Sequence, residues 1–185
     1  MKYSPTTITA RAPLSYQQQG LWLLEQFNEG KCIYNICWAF CITGPLNVDI
    51  LNQALQYLIG RHAVLRTIIV QGETGAEQVV MTKMPVPVVI PGTSLENLSP
   101  ERQLAEVKRY FREETTTPFD LARGPLLRGH VLKAQREEYY FILSMHHIVI
   151  DGWSIGIFID ELMQAYHQIA QGKSPEPREL PIQYH

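Results

Sequence analysis

Apolar positions recur along this chain with two periods, and their alternation lays out a protein of mixed helix and strand. Val48, Leu51, Leu55, Leu58 and Ile59 trace a helical stripe that starts near Asn47 or Asp49. Ile155, Ile159, Leu162, Met163, Tyr166 and Ile169 trace another, predicting an amphipathic core helix over residues 154–171 that Gly172 closes. Ser15 is a good N-cap for a helix running to Phe27, although Gly20 inside it costs about 1 kcal/mol against Ala. Ser99-Pro100-Glu101 opens a fourth helix that Leu104, Val107 and Phe111 carry to about Thr115. Strand signals fall over residues 34–42, ended by Gly44-Pro45, and over Ile68-Ile69-Val70, with a turn at 72–75 and a return strand at 77–81. Residues 85–90 read as a short edge strand interrupted by Pro, and 126–134 with 138–145 as an antiparallel pair. These elements form one domain over residues 14–172. A lead segment, 1–13, is expected to lie over the surface, and 173–185 forms an extended tail with Pro175, Pro177 and Pro181.

Polar groups gather where the last strand gives way to the last helix. The apolar run from Tyr139 to Met145 ends in His146 and His147; three aliphatics follow, then Asp151, Gly152, Trp153 and Ser154. Strand ends that lead into helices are where α/β proteins place their chemistry. In an extended segment neighbouring side chains point to opposite faces, so His147 shares a face with Met145 and Leu143, and His146 with Ser144 and Ile142. One histidine is thus free to enter a cavity while the other is tied into the scaffold. Gly152 allows a close approach of backbone to ligand. The pattern leaves open a plainer reading, two core histidines followed by a helix-capping Asp151. A metal site fits poorly, because neighbouring strand histidines diverge and no Cys or Glu stands at ligand spacing.

Composition narrows the classes. The chain has 185 residues, 45% hydrophobic and 18% charged, enough to bury a core. A net charge of −2 without a basic run makes nucleic acid and anionic membrane poor partners. Cys32, Cys37 and Cys41 are odd in number and form no CxxC pair, which predicts buried free thiols and fits a reducing, cytoplasmic setting. Residues 1–13 lack a continuous apolar core of signal-peptide length, and no stretch approaches the 18 apolar residues of a membrane span.

His146-His147-Ile148-Val149-Ile150-Asp151-Gly152, extended by Trp153 and Ser154, resembles the His-His-three-residues-Asp-Gly motif of condensation domains in nonribosomal peptide synthetases. Three other segments resemble that family in order. Leu14-Ser15-Tyr16-Gln17-Gln18-Gln19-Gly20-Leu21-Trp22 is similar to its first motif, with Gly20 where the family has Arg. Arg61-His62-Ala63-Val64-Leu65-Arg66-Thr67 is similar to its second, with Ala63 in place of Glu. The third segment is Phe119-Asp120-Leu121 with Gly124-Pro125-Leu126-Leu127-Arg128.

The resemblance implies a chloramphenicol-acetyltransferase-like α/β lobe, a mixed β-sheet with helices packed against it, forming the N-terminal half of a two-lobed domain. It implies an acyltransferase that joins a carrier-bound acyl or peptidyl thioester to a carrier-bound aminoacyl amine. The expected partners are donor and acceptor peptidyl carrier proteins, the C-terminal lobe and an adjacent adenylation domain. No cofactor binds directly; phosphopantetheine is carried by the partner proteins. His147 is the expected catalytic side chain. Gly152, Trp153 and Ser154 are expected at the substrate, His146 beneath the site, and Asp151 in an ion pair with Arg61 or Arg66. Within the same fold the alternatives are an epimerisation-type domain and a non-catalytic docking module for carrier proteins.

Overall fold

The computed structural model describes residues 8–28, 30–73, 75–84, 88–175 and 180–184. Among these residues the seven strands are β1 (Ile8–Pro13), β2 (Asn35–Thr43), β3 (Thr67–Gln71), β4 (Ala76–Met81), β5 (Gly92–Ser94), β6 (Leu127–Gln135) and β7 (Glu138–His146). The helices are α1 (Tyr16–Phe27), α2 (Val48–Arg61), α3 (Pro100–Thr116) and α4 (Ser154–Ala170), with a 3-10 turn at Ala63–Arg66. The strands form a three-stranded sheet, β1-β4-β3, and a four-stranded sheet, β2-β7-β6-β5. The larger sheet is mixed: β5 runs parallel to β6 and the other neighbours are antiparallel. This is the expected α/β architecture.

Strand β7 lies inside the larger sheet, so its backbone is paired on both edges and its side chains are buried on both faces. Phe141, Leu143 and Met145 join a core with Leu51, Leu55 and Leu58 of α2 and Phe158 and Leu162 of α4. Ile142 faces the other way, into a smaller core with Val107 of α3 and Leu132 of β6. Each fully buried aliphatic contributes about 1.5–3 kcal/mol, and truncating one such as Leu143 to Ala costs about 2–5 kcal/mol. At its C-terminal end α3 is clamped to β6. The buried Glu114 carboxylate meets Arg128 Nε at 2.6 Å and His130 Nε2 at 3.2 Å. These partners outweigh burial and hold it below the usual carboxylate range.

Four expectations need correction. Residues 8–13 of the lead segment, expected to lie over the surface, form strand β1 instead, because their backbone pairs antiparallel with β4; residues 1–7 lie outside the described residues. The edge strand expected over 85–90 is displaced: 85–87 lie outside the described residues, 88–90 carry no strand, and the pairing falls on Gly92–Ser94. The cysteines are free, but Cys41 is exposed and Cys37 half-buried, since α3 shields only the start of β2; burial pushes the Cys37 thiol up to about 12. The tail reading over 173–185 falls in part on 176–179 and 185, outside the described residues, while Gln183 and Tyr184 are fastened to the body.

Helix α4 stops as its sequence dictates. Gly172 takes φ +73, the Gly172 N–H donates to the Ile169 carbonyl at 2.8 Å, and the Lys173 N–H donates to the Gln168 carbonyl at 2.9 Å. That left-handed residue is cheap only for glycine.

Candidate active site

The site is built at the end of β7. Pairing ends with Asn35 opposite His146, and the His147 N–H then donates to the Tyr34 carbonyl at 2.8 Å, turning the chain. His146, 1% exposed, closes that turn from within: its Nδ1 accepts the Ile148 N–H at 3.1 Å, and its carbonyl accepts the Val149 N–H at 3.0 Å. A ring that accepts at Nδ1 carries its proton on Nε2. Burial, then the neighbouring His147, lowers its pKa to about 4, so it is neutral at pH 7. Its Nε2 faces Glu25 Oε2 of α1 at 3.7 Å, beyond hydrogen-bond range, and both atoms are buried without a hydrogen-bond partner. Burial raises the Glu25 carboxyl above its ordinary value.

Helix α1 fastens the turn from another side. Ser15 and Gln18 form a reciprocal cap, with Ser15 Oγ accepting the Gln18 N–H at 3.2 Å and Gln18 Oε1 accepting the Ser15 N–H at 3.0 Å. The buried Gln18 amide also donates to the Ile148 carbonyl at 3.3 Å.

His147 emerges exposed from this frame. It lines a cavity of about 700 Å³ with Gln17, Gly20 and Leu24 of α1, His62, Val64 and Leu65 after α2, Asp151, Ser154 and Phe158 at the start of α4, and Tyr184 of the tail. The walls are largely apolar, a setting in which a few polar groups direct orientation. Gly20, where the resemblance expects an arginine, stands on this wall with open space around it.

Asp151 is a helix cap. Its Oδ1 accepts from Ser154 Oγ at 2.6 Å, the Ser154 N–H at 2.7 Å and the Trp153 N–H at 3.1 Å. The Ser154 hydroxyl, followed by these amides and aided by His147, holds its carboxyl below the usual carboxylate range. The expected ion pair with Arg61 or Arg66 is therefore corrected. Arg61 Nε meets Glu161 of α4 at 3.2 Å, and Arg66 Nη1 donates to the Met81 carbonyl at 2.7 Å. The physical reason is location: Asp151 is exposed and saturated by its own helix start, while both arginines leave the end of α2 toward other elements.

Of the residues expected at the substrate, Ser154 lines the cavity but spends its hydroxyl on Asp151, whereas Gly152 and Trp153 lie outside its wall. Trp153 is 83% exposed. Gln18, Glu25, His62 and Glu161 were not assigned from sequence. The Ser15-x-x-Gln18 spacing signals the cap, but no local pattern announces a contact between α1 and a turn 130 positions later. Among the described residues no group of three or more His, Cys, Asp or Glu could hold a metal ion, and no helix is long and apolar enough to cross a membrane.

Comparison with known proteins follows the same lines. The family profile of the condensation domain matches residues 8–185. A linear gramicidin synthase from Brevibacillus parabrevis is 38% identical over 180 residues, which is 97% of this chain and 2% of that protein. Phosphinothricin tripeptide synthetase PhsB of Streptomyces viridochromogenes is 33% identical over 182 residues, covering 98% of this chain and 15% of that one. The chain thus spans a small part of the relatives it matches. In fold it is similar to the starter condensation domain of rhizomide synthetase, with a TM-score of 0.82, 23% identity, and 91% of this chain covered against 40% of that one. The first condensation domain of the calcium-dependent antibiotic synthetase superposes with a TM-score of 0.81 at 22% identity, with 91% of this chain and 42% of that one covered.

Proposed function

The chain belongs to the condensation-domain family of nonribosomal peptide synthetases, and from that premise we propose that it is the histidine-bearing half of a domain forming amide bonds between carrier-bound substrates. The donor is an acyl or peptidyl thioester and the acceptor an aminoacyl thioester, each on the phosphopantetheine arm of a peptidyl carrier protein. A second lobe supplies the opposite wall, and an adenylation domain loads the acceptor's carrier.

The observation that carries this reading is the placement of His147. It is the exposed member of the histidine pair, fixed at the end of β7 by backbone bonds and set beside a largely apolar cavity. The acceptor's amine attacks the thioester carbonyl, building positive charge on nitrogen as the C–N bond forms. A histidine beside that nitrogen accepts the proton, and the freed thiolate of the donor arm takes it up as the C–S bond breaks. Such help is worth about 10²- to 10⁴-fold. Positioning two tethered reactants contributes on a comparable scale. His146, neutral and bonded to the backbone, holds the turn, and Asp151 starts the helix behind it.

Holding two arms needs two walls, so the 185-residue chain by itself forms no amide. The test is mass analysis of product from loaded donor and acceptor carriers, with this chain alone and with the chain completed by the remaining half of its domain. The reading expects amide only from the completed domain. Absence of product in both, with folded protein and loaded carriers, contradicts the enzymatic reading and favours a docking module; product from the chain alone contradicts the two-wall requirement.

A further inference from the structure

A second histidine lines the same cavity. His62 follows α2, and its backbone leaves the helix there at φ −100 and ψ 110 while its N–H still closes the last turn on Leu58 at 2.8 Å. The side chain turns toward α4, where Nε2 lies 2.5 Å from Glu161 Oε2. Glu161 also receives Arg61 Nε at 3.2 Å, and it does not itself line the cavity. His62 therefore sits between an anchoring carboxylate and the cavity. With Nε2 directed at a carboxylate the neutral ring carries its proton there, leaving Nδ1 with a lone pair. No described residue bonds Nδ1.

A base whose far nitrogen is held by a carboxylate is a general device for taking up protons, because the carboxylate fixes the tautomer and stabilises the imidazolium that forms. Arg61 holds that carboxylate in place. The backbone beside it does not depend on the ring: the Ala63 N–H and the Arg61 carbonyl are held by the Gln183 side chain at 3.0 and 2.9 Å.

The proposed reaction has two protons to move. A free α-amine has a pKa of about 7.7–8.0, so the acceptor arrives largely as ammonium at neutral pH. One proton must leave before nitrogen has a lone pair for attack, and a second must leave once the C–N bond has formed. We propose that His62, anchored by Glu161, takes the first of these protons from the acceptor's ammonium, so that the cavity contains two bases acting in turn. This inference rests on the condensation reading. The ammonium transfers H⁺ to His62 Nδ1, giving neutral amine and imidazolium. The amine's lone pair forms the C–N bond at the donor carbonyl while the π pair moves to oxygen. The second proton passes from nitrogen to His147. The carbonyl reforms, the C–S bond breaks with its electron pair on sulfur, and His147 returns its proton to the thiolate. His62 releases its own to water, so the sum is ammonium and thioester to amide, thiol and one H⁺. Among the described residues, the charged and titratable groups around His62 are Glu161 from α4, Arg61 from the last turn of α2, His147 and Asp151 from the turn across the cavity, and Tyr184 from the tail.

The test uses the complete condensation domain containing this chain, with His62→Gln and Glu161→Gln, in single-turnover assays from about pH 6 to pH 9. The acceptor is presented as an aminoacyl thioester and, separately, as an aminooxyacyl thioester whose nucleophilic nitrogen is neutral over that range. The expected result for both variants is a loss of at least about 10-fold near pH 6.5. That loss closes toward pH 9 as solution deprotonates the amine, and it is absent with the aminooxy acceptor. A loss independent of pH, an equal loss with both acceptors, or no loss would overturn the assignment. Should His62→Gln fail to give a cooperative melting transition, Glu161→Gln carries the same comparison. His147→Ala run in parallel separates the two readings: wild-type protein without product defeats the condensation reading itself. Product that depends on His147 but is indifferent to His62 and Glu161 defeats this inference alone.

Discussion

At the scale of single residues the site separates into side chains that react and side chains that hold. Asp151 is of the second kind, and the structure changes what its removal should cost. A buried arginine pair would lose about 3–5 kcal/mol on truncation, whereas loss of a helix cap costs about 0.5–2 kcal/mol. Asp151 caps the start of α4 from an exposed position, so Asp151→Ala should lie in the lower range and Asp151→Asn nearer zero. Denaturant midpoints of the chain measure this, and a loss above about 3 kcal/mol for Ala would restore the ion-pair account. His146 gives a pH signature. Its folded pKa, about 4, lies below the ordinary histidine value, so between about 4 and 6.5 the unfolded chain binds more protons than the folded one. Its contribution is therefore fully present above about pH 6.5 and is lost as pH falls toward 4. The raised Glu25 carboxyl acts in the opposite direction over the acid end of that window. Melting midpoints should fall from pH 7 to pH 5, and His146→Gln should flatten that fall; an unchanged slope in the variant would show that His146 is not the titrating group.

At the scale of elements, the sequence was most legible where one face of a helix or a paired strand carries a long apolar stripe. Residues 48–59 and 155–169 could hardly be anything but core helices, and the start of α2 at Asn47 and the end of α4 at Gly172 follow their caps. Strands β1 and β5 were hidden because neither carries a decisive pattern. Thr and Arg alternate with small residues in β1, and β5 is three residues that gain their structure from β6. Their order is a tertiary effect. The same holds for Gln18, whose identity suits a helix cap but whose second bond reaches the Ile148 carbonyl. Gln18→Ala removes half of the reciprocal cap and leaves that buried carbonyl without its donor, a loss of about 1–3 kcal/mol. Chemical denaturation should show it as a lower midpoint at unchanged slope, while Gln19→Ala, an exposed neighbour, should cost less. Equal effects at the two positions would mean that the link to the histidine turn carries no stability.

At the scale of the molecule, a strand buried on both faces delivers its end, with two histidines, to the rim of a cavity. The alternation of a β-strand foretold that the two rings would part company, and they do: His146 is 1% exposed while His147 lines the cavity. What the sequence could not foretell is which distant groups meet them there, since Glu25, His62 and Glu161 arrive from three different helices' ends and faces. Everything proposed for the reaction depends on His147 being the side chain that acts on the reacting amine. The deciding measurement is single-turnover amide formation by His147→Ala against wild type, in the completed domain with both carriers loaded. The prediction is a loss of at least about 10²-fold with an unchanged melting midpoint, because His147 is exposed and its backbone, not its ring, holds the turn. A variant that is equally stable and turns over at the wild-type rate would contradict that role.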